Sequence, residues 1–382
     1  MRLLHLSDLH LSRYGESGPW IPRTPGEETE VLHTWQRWQV EGLRSRRQRQ
    51  AKLRLVDPEG VVHQVKGWPR KDERIIQALI TLAEERHRTS AERLIGEPPG
   101  RAELKEMLGA DPVNTNLLFL EMLEQVLPLE PDLVVITGDI TDNGFGYNLI
   151  LHHLAPWIAR GRLLAVPGNH DTYDIFPRKG RRVRIAAKVR CNREFMTELG
   201  LAPEPHGAWA KRFEDLIIVG LDSCHPPLTP LSASGKVTED QLDWLDGLAR
   251  QPDFRGARLR LGLLHHHLLR MPFALGKRNP IEMAMRLRNA PDVMERCRQA
   301  RLDILLNGHR HHGYMVQLPD HPMVISSPSS TLGCKFTRTD YAWHLDLGAR
   351  HPFPEMRAFK GYRSRGGLSL EDELGEAGGE GL

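Results

Sequence analysis

Short, unbroken apolar runs recur along the chain, and stretches of helical spacing or polar, Gly- and Pro-containing segments separate them. Met1 to Ser7 reads as a buried strand that ends at Asp8. Residues 13 to 32 mix Gly, Pro and Glu as a loop does, and residues 33 to 54 are basic and carry Trp. Val61 to Val65 reads as the return strand of a hairpin turning at Asp57-Pro58-Glu59-Gly60. Residues 72 to 95 have a helical period, with Ile75, Ile76, Leu79, Leu82 and Ala83 on one stripe, until Glu97-Pro98-Pro99-Gly100 breaks it. From residue 115 the pattern becomes regular. A helix over Leu117 to Leu127 leads into a strand over Leu133 to Ile136, and a helix over Tyr147 to Arg160 into a strand over Leu163 to Val166. Further strands are predicted over Leu216 to Leu221, Leu259 to Leu264, Ile304 to Leu306 and Met323 to Ser326. The helix Glu239 to Ala249 puts Leu242, Leu245 and Leu248 on one face, with Thr238 and Gln241 as its capping box. Apolar strands alternating with helices predict an α/β fold, a sheet covered by helices.

The strand exits carry the chemistry. The first ends in Asp8-Leu9-His10, the next in Gly138-Asp139, the next in Gly168-Asn169-His170-Asp171. Two later strands end in His265-His266-His267 and Gly308-His309-Arg310-His311. Ligand sites in α/β sheets lie beyond the carboxyl ends of the strands, so five exits deliver Asp, Asn and His to one region. In extended backbone, residues i and i+2 face the same way, which would let Asp8 share a neighbourhood with His10 and His309 with His311. Gly138, Gly168 and Gly308 each precede a candidate ligand and read as positions of positive φ or close backbone approach. An oxygen and nitrogen donor set suits Mn, Fe or Zn.

Composition narrows the class. A chain of 382 residues with 40% hydrophobic and 26% charged residues can build a packed core and is not a disordered protein. No apolar run approaches the roughly 20 residues of a membrane helix, and His5 and Asp8 interrupt any leader-like segment, so the expected setting is cytoplasmic. The four Cys (Cys191, Cys224, Cys297, Cys334) contain no Cys-x-x-Cys pair, which excludes a thiolate zinc ribbon. A net charge of +3 does not by itself point to nucleic acid.

The ordered set Asp-x-His, Gly-Asp, Gly-Asn-His-Asp, His and Gly-His-x-His resembles the calcineurin-like metallophosphoesterase superfamily over residues 1 to 12 and roughly 117 to 335. Leu221-Asp222-Ser223, Gln241-Leu242-Asp243-Trp244-Leu245, the His265–His267 run and Leu287-Arg288-Asn289-Ala290 are similar to its class III cyclic-nucleotide phosphodiesterases. The resemblance implies a sandwich of two mixed β-sheets flanked by helices, with an accessory α+β segment inserted after the first strand. It implies two divalent metal ions (Mn, Fe or Zn), one held by Asp8, His10 and His311, the other by Asn169, His265 and His309, with Asp139 bridging. It further implies hydrolysis of a phosphoester, nucleotide-type or other, through a bridging hydroxide. His170 would contact the phosphate or protonate the leaving oxygen, Asp171 would orient it, and Asn169 would also touch substrate. His267 would line the substrate entrance or be a solvated loop residue. His266 and His312 read as bystanders, and His152 and His153 as surface or packing residues.

The resemblance divides the chain into a catalytic domain (1–12 and 115–365), an insertion (13–114) and an acidic tail (366–382) expected to be disordered. The insertion holds Trp20, Trp35, Trp38 and Trp68 and the basic run Arg44, Arg46, Arg47, Arg49, Lys52 and Arg54. It reads either as a substrate-selecting cap or as a small accessory subdomain. A second basic run, Arg178, Lys179, Arg181, Arg182, Arg184, Lys188 and Arg190, reads either as a steering surface for a polyanion or as a solvated helix face. The alternative functions are a DNA-processing nuclease of the same superfamily, favoured by these runs, and a non-catalytic metal-binding scaffold.

Overall fold

The computed structural model describes residues 1–15, 52–56, 62–66, 88–96, 98–142, 144–173, 181–201, 206–225, 232–269, 284–333, 340–348 and 355–360. The expected hairpin turn at 57–60, the periodic residues 75–83, the four Trp of the insertion, Arg178, Lys179 and the tail 366–382 lie outside these residues.

Strands β1 (Arg2–Leu6), β4 (Leu133–Thr137) and β5 (Leu163–Val166) run parallel in one sheet. Strands β12 (Asp340–Asp346) and β13 (Glu355–Lys360) extend it antiparallel, giving the order β13-β12-β1-β4-β5. A second sheet has the order β10-β11-β9-β8-β7-β6. Its parallel centre is β7 (Leu216–Gly220), β8 (Leu259–Leu263), β9 (Ile304–Asn307) and β11 (Met323–Ser326). Antiparallel β6 (Trp209–Phe213) and β10 (Tyr314–Val316) close its edges. Strands β2 (Lys52–Val56) and β3 (Val62–Lys66) pair as the expected hairpin.

The parallel strands are mostly apolar because both of their faces are covered. In β7, Leu216 and Ile218 join a core that also holds Leu3, Leu6 and Ile136 of the first sheet, so the two sheets share one core. Ile217 and Val219 point the other way, into a second core with Leu242 and Leu245 of the helix Glu239–Ala249 and Val293 and Cys297 of the helix Ala290–Gln299. The result is α/β, two mixed sheets flanked by helices. Among the described residues no helix is long and apolar enough to cross a membrane.

Several local expectations are corrected. The helix over 147–160 is two helices, Tyr147–His153 and Ala155–Ala159, because Pro156 lacks an N–H and cannot continue the first one. The Thr238–Gln241 capping box does not form: Gln241 accepts from the Asp222 amide at 2.8 Å and donates to its carbonyl at 2.9 Å, tying this helix to the exit of β7. Strands β6, β10, β12 and β13 and the helices Arg101–Ala110 and Ala290–Gln299 were not expected from the pattern. Ala91, Leu94, Leu104 and Met107 of the expected insertion pack into the same core as the first sheet. The Ala91 amide donates to the Arg13 carbonyl at 2.7 Å, which holds these two points of the chain side by side.

Candidate metal centre

Parallel pairing of β1 and β4 continues past both strands: the amides of Asp8 and His10 donate to the carbonyls of Gly138 and Asp139, each at 2.9 Å. After this point the ligands are not extended. Asp8 (φ 51°), His10 (φ 50°), Asp139 (φ 50°), His309 (φ 77°) and His311 (φ 53°) are all left-handed. Such conformations cost a non-Gly residue roughly 1–2 kcal/mol and gather at functional sites. The alternation argument for the pairs therefore fails in its reason, and for one pair in its result. Asp8 and His10 do lie together, with His311, whereas His309 joins Asp139 and His265. Backbone turning at each residue, not the strand pleat, sorts the side chains.

The glycines meet the expectation in different ways. Gly138 has φ 89°, but Gly168 has φ −101°, open to any residue. Gly168 is needed for close approach: a Cβ there would stand 1.9 Å from the Asp139 amide nitrogen and 2.2 Å from its Oδ1. Gly168→Ala should therefore cost about 1–3 kcal/mol of overpacking and weaken metal binding by roughly tenfold or more. Gly247→Ala, in a helix where nothing lies within 4 Å, should do neither. Metal titration and thermal melts of the two variants check this; wild-type metal affinity in Gly168→Ala would refute it.

Around this frame the donors converge. His10 Nδ1 lies 2.7 Å from Asp142 Oδ1, His265 Nδ1 2.8 Å from the Thr137 carbonyl, and His309 Nε2 2.8 Å from the Met285 carbonyl. Each of these nitrogens donates, so in the neutral ring the other nitrogen carries a lone pair. Those lone pairs crowd together. His10 Nε2 is 3.0 Å from His311 Nε2, His265 Nε2 is 3.0 Å from Asn169 Oδ1 and 3.3 Å from Asp139 Oδ2, and His309 Nδ1 is 3.1 Å from His265 Nε2. Asp8 Oδ1 is 3.4 Å from His311 Nε2. Acceptors at this spacing repel unless positive charge lies among them. The demand for that charge is visible in the rings. Burial alone would lower His10, yet the Asp142 carboxylate overrides it and raises the ring to about 10. Against the same opposing burial, Asp139 raises His265 to about 9. His309, enclosed by protein and by His266 and His265, stays neutral. A divalent cation meets several donors at once and displaces such protons. The donor set thus fits metals, as two triads, Asp8–His10–His311 and Asp139–His265–His309, with a third grouping, His10–Asp139–His170, between them.

Asp171 is corrected. Its carboxylate accepts from the amides of Gly168 (2.9 Å), Ile140 (3.1 Å) and Thr141 (2.9 Å) and from the Tyr147 hydroxyl (2.8 Å), so it fastens the loop and does not orient His170. The carboxylate on His170 is Asp142, whose Oδ1 lies 2.7 Å from His170 Nδ1 as well as from His10 Nδ1. Against its burial, His10 and His170, each by charge and by hydrogen bond, hold Asp142 well below the usual carboxylate range. The sequence signal for it, an Asp three residues after Gly138-Asp139, lay in plain view. Also missed were Ser329, Ser330 and Thr331, which clamp the first exit: Ser329 Oγ donates to the Asp8 carbonyl at 2.6 Å and Thr331 Oγ1 to the Leu9 carbonyl at 2.9 Å. The signal was a Ser/Thr run directly after β11.

His267 is not solvated; it is buried and stacks on His309, with ring centroids 5.7 Å apart and planes 13° apart. His266 is buried too. Its amide donates to Ser223 Oγ (3.1 Å), Ser223 lies 2.9 Å from its Nδ1, and its Nε2 donates to the Ala233 carbonyl (2.9 Å), which ties the second sheet's exit loops together. His312 is buried, and His153 packs against the Leu94 carbonyl.

The sequence model of calcineurin-like phosphoesterases matches residues 117–313, just over half of the 382 residues. The chain belongs to the calcineurin-like phosphoesterase family. It is therefore a metal-dependent phosphoester hydrolase. No curated protein matches this phosphoesterase in sequence. Among solved structures it is similar to a dimetal phosphatase from Danio rerio, with 14% identity and a TM-score of 0.44 over 65% of this chain and 87% of that one. It is also similar to a purple acid phosphatase from yellow lupin (Lupinus luteus) seeds, with 11% identity and a TM-score of 0.38 over 60% and 44% of the two chains. A phosphopantetheinyl hydrolase from Mycobacterium tuberculosis follows at 14% identity and a TM-score of 0.32 over 51% and 79%. The family assignment rests on the sequence match, not on these likenesses.

Proposed function

We propose that this phosphoesterase is a binuclear-metal phosphodiesterase acting on a nucleotide-type or other phosphodiester. The observation that carries the reading is the place of Asp139. It belongs to two of the three donor groupings, its Oδ2 lies toward His265, and its Oδ1 accepts the His170 amide at 2.8 Å. Asp8, His10 and His311 would hold one metal, Asn169, His265 and His309 the other, and Asp139 both. When bound, such a pair neutralises phosphoryl oxygens and lowers the pKa of water.

The chain's own part is positioning and proton transfer. Asp142 accepts the Nδ1–H of His170 and so fixes which nitrogen is left, Nε2, to meet the phosphoryl group or the leaving oxygen. His267, stacked on His309, is the candidate for a further substrate contact. The expected insertion 13–114 follows His10 closely in the chain, and His10 in turn has its carbonyl bound by Thr115 Oγ1 at 2.9 Å, just past the insertion's end; we assign the insertion the choice of leaving group. The free thiols Cys191, Cys224 and Cys297 suit a reducing, cytoplasmic setting. Of the second basic run, Lys188 is buried and Arg190 pairs with Glu194, which weakens the case for a nuclease surface. The motifs that suggested a cyclic-nucleotide branch have structural work. Asp222 is held by Gln241, Ser223 by His266, and Asn289 by both backbone groups of Val237. They therefore say little about the base or sugar.

Reconstituted protein should hold two Mn²⁺ per chain and cleave bis-p-nitrophenyl phosphate, with activity lost on metal stripping. A panel adding p-nitrophenyl phosphate, cyclic nucleotides and oligonucleotides ranks the substrates. Cleavage of the monoester alone would overturn the diester reading, and metal content below one per chain would overturn the binuclear one.

A further inference from the structure

One cation of the second basic run turns inward. Lys188 sits on the helix Arg181–Glu198, is 2% exposed, and its Nζ donates to the His170 carbonyl at 3.0 Å. Four residues on, on the same helix face, Asn192 Nδ2 donates to the Tyr147 hydroxyl at 3.2 Å, and that hydroxyl donates to Asp171 Oδ1. This face thus backs the Gly168–Asp171 loop at two points. His170 is held at both ends of its backbone, its amide by Asp139 Oδ1 and its carbonyl by Lys188. Its ring is held by Asp142. Fixing a lysine stem forfeits rotamer entropy, and taking an ammonium out of water costs several kcal/mol. A loop carbonyl that needed only a donor could have used water or a neutral side chain. The cation is retained where it grips the residue whose placement the reaction depends on.

We propose that Lys188 is a positioning residue for His170, which fixes the backbone of the phosphate-facing histidine from behind the loop. The proposal rests on the role given to His170 above. A misplacement of about 1 Å at a reacting group can cost 10²-fold in rate.

The test is a double-mutant cycle on the metal-loaded enzyme with bis-p-nitrophenyl phosphate. Lys188→Met keeps the stem and removes the ammonium. It should lower kcat roughly 10–100-fold, with KM changed less than about threefold and metal content unchanged. Lys188→Arg should recover part of the loss. In a His170→Ala background Lys188→Met should cost less than about twofold, because residues acting as a unit are not additive. Hydrogen exchange adds a readout independent of turnover: amides of 168–173 should exchange faster in Lys188→Met, and those of β8 should not. If the Met variant does not fold, Lys188→Gln, a donor on a shorter stem, enters the same cycle. Wild-type kcat in the variant, an equal loss in the His170→Ala background, or metal lost in proportion to rate overturns this proposal alone. Full turnover in His170→Ala overturns it together with the role of His170.

Discussion

Asp139→Asn is expected to abolish metal-dependent turnover and to release at least one metal per chain. The side chain is almost fully buried, and its two oxygens serve different neighbours, the His170 amide on one side and His265 on the other. His265 and His170 draw its carboxyl far below the ordinary range even against the penalty of burial, so it is an anion at every working pH. An amide there has the same shape and no charge, and one end must turn an N–H toward a donor or toward the His265 lone pair. Removing one partner of a buried charge group typically costs about 3–5 kcal/mol, a factor of roughly 10²–10³ or more in affinity. Isothermal titration with Mn²⁺ and elemental analysis after dialysis read the loss directly. Two tightly held metals and wild-type kcat in this variant would remove Asp139 from the shared position.

The second large effect separates the two duties of Asp142. His170→Ala should keep its metals and lose about 10²–10⁴-fold in kcat, the usual contribution of a placed acid or base. Asp142→Asn should lose rate for the same reason and, in addition, bind metal about 10–100-fold more weakly, because its Oδ1 also fixes the His10 ring. Raising Mn²⁺ in the assay should therefore rescue part of the Asp142→Asn defect and none of the His170→Ala defect. Equal loss of metal and activity in His170→Ala would make His170 a ligand instead, as its grouping with His10 and Asp139 would allow.

What the sequence made legible follows from burial. Parallel strands covered on both faces are mostly apolar, so β1, β4, β5, β7, β8, β9 and β11 stand out as runs, and their exits could be located. Edge strands obey no such rule. In β6, Lys211 and Arg212 break the run, and β10 has only three residues, none of them buried. The helix Ala290–Gln299 hides its apolar stripe, Val293, Met294 and Cys297, among charges. The ligand residue types were legible from the exits, while the way they divide was not. Five candidate ligands in left-handed backbone overturn a pleat-based argument, and no spacing rule announces positive φ at Asp or His. Asp142 and Asp171 show the same limit. Both are Asp residues near a strand exit, and only the fold decides that one reaches imidazoles and the other backbone amides.

The place of β1 also bears on how the molecule is made. Its parallel neighbour starts at Leu133 and its antiparallel neighbour covers Asp340–Asp346, so both edges of this strand are matched by chain that leaves the ribosome much later. At about 5–20 residues per second, translation must run for tens of seconds before β12 exists. Through that interval the apolar ribbon Leu3-Leu4-His5-Leu6 has one or two unsatisfied edges, the state most open to intermolecular strand pairing. Asp8 and His10 thus leave the ribosome long before the chain that locks them in place. Nascent chains of this enzyme should lean on chaperones that shield early strands, and heterologous yield should respond to translation speed more than to metal supply.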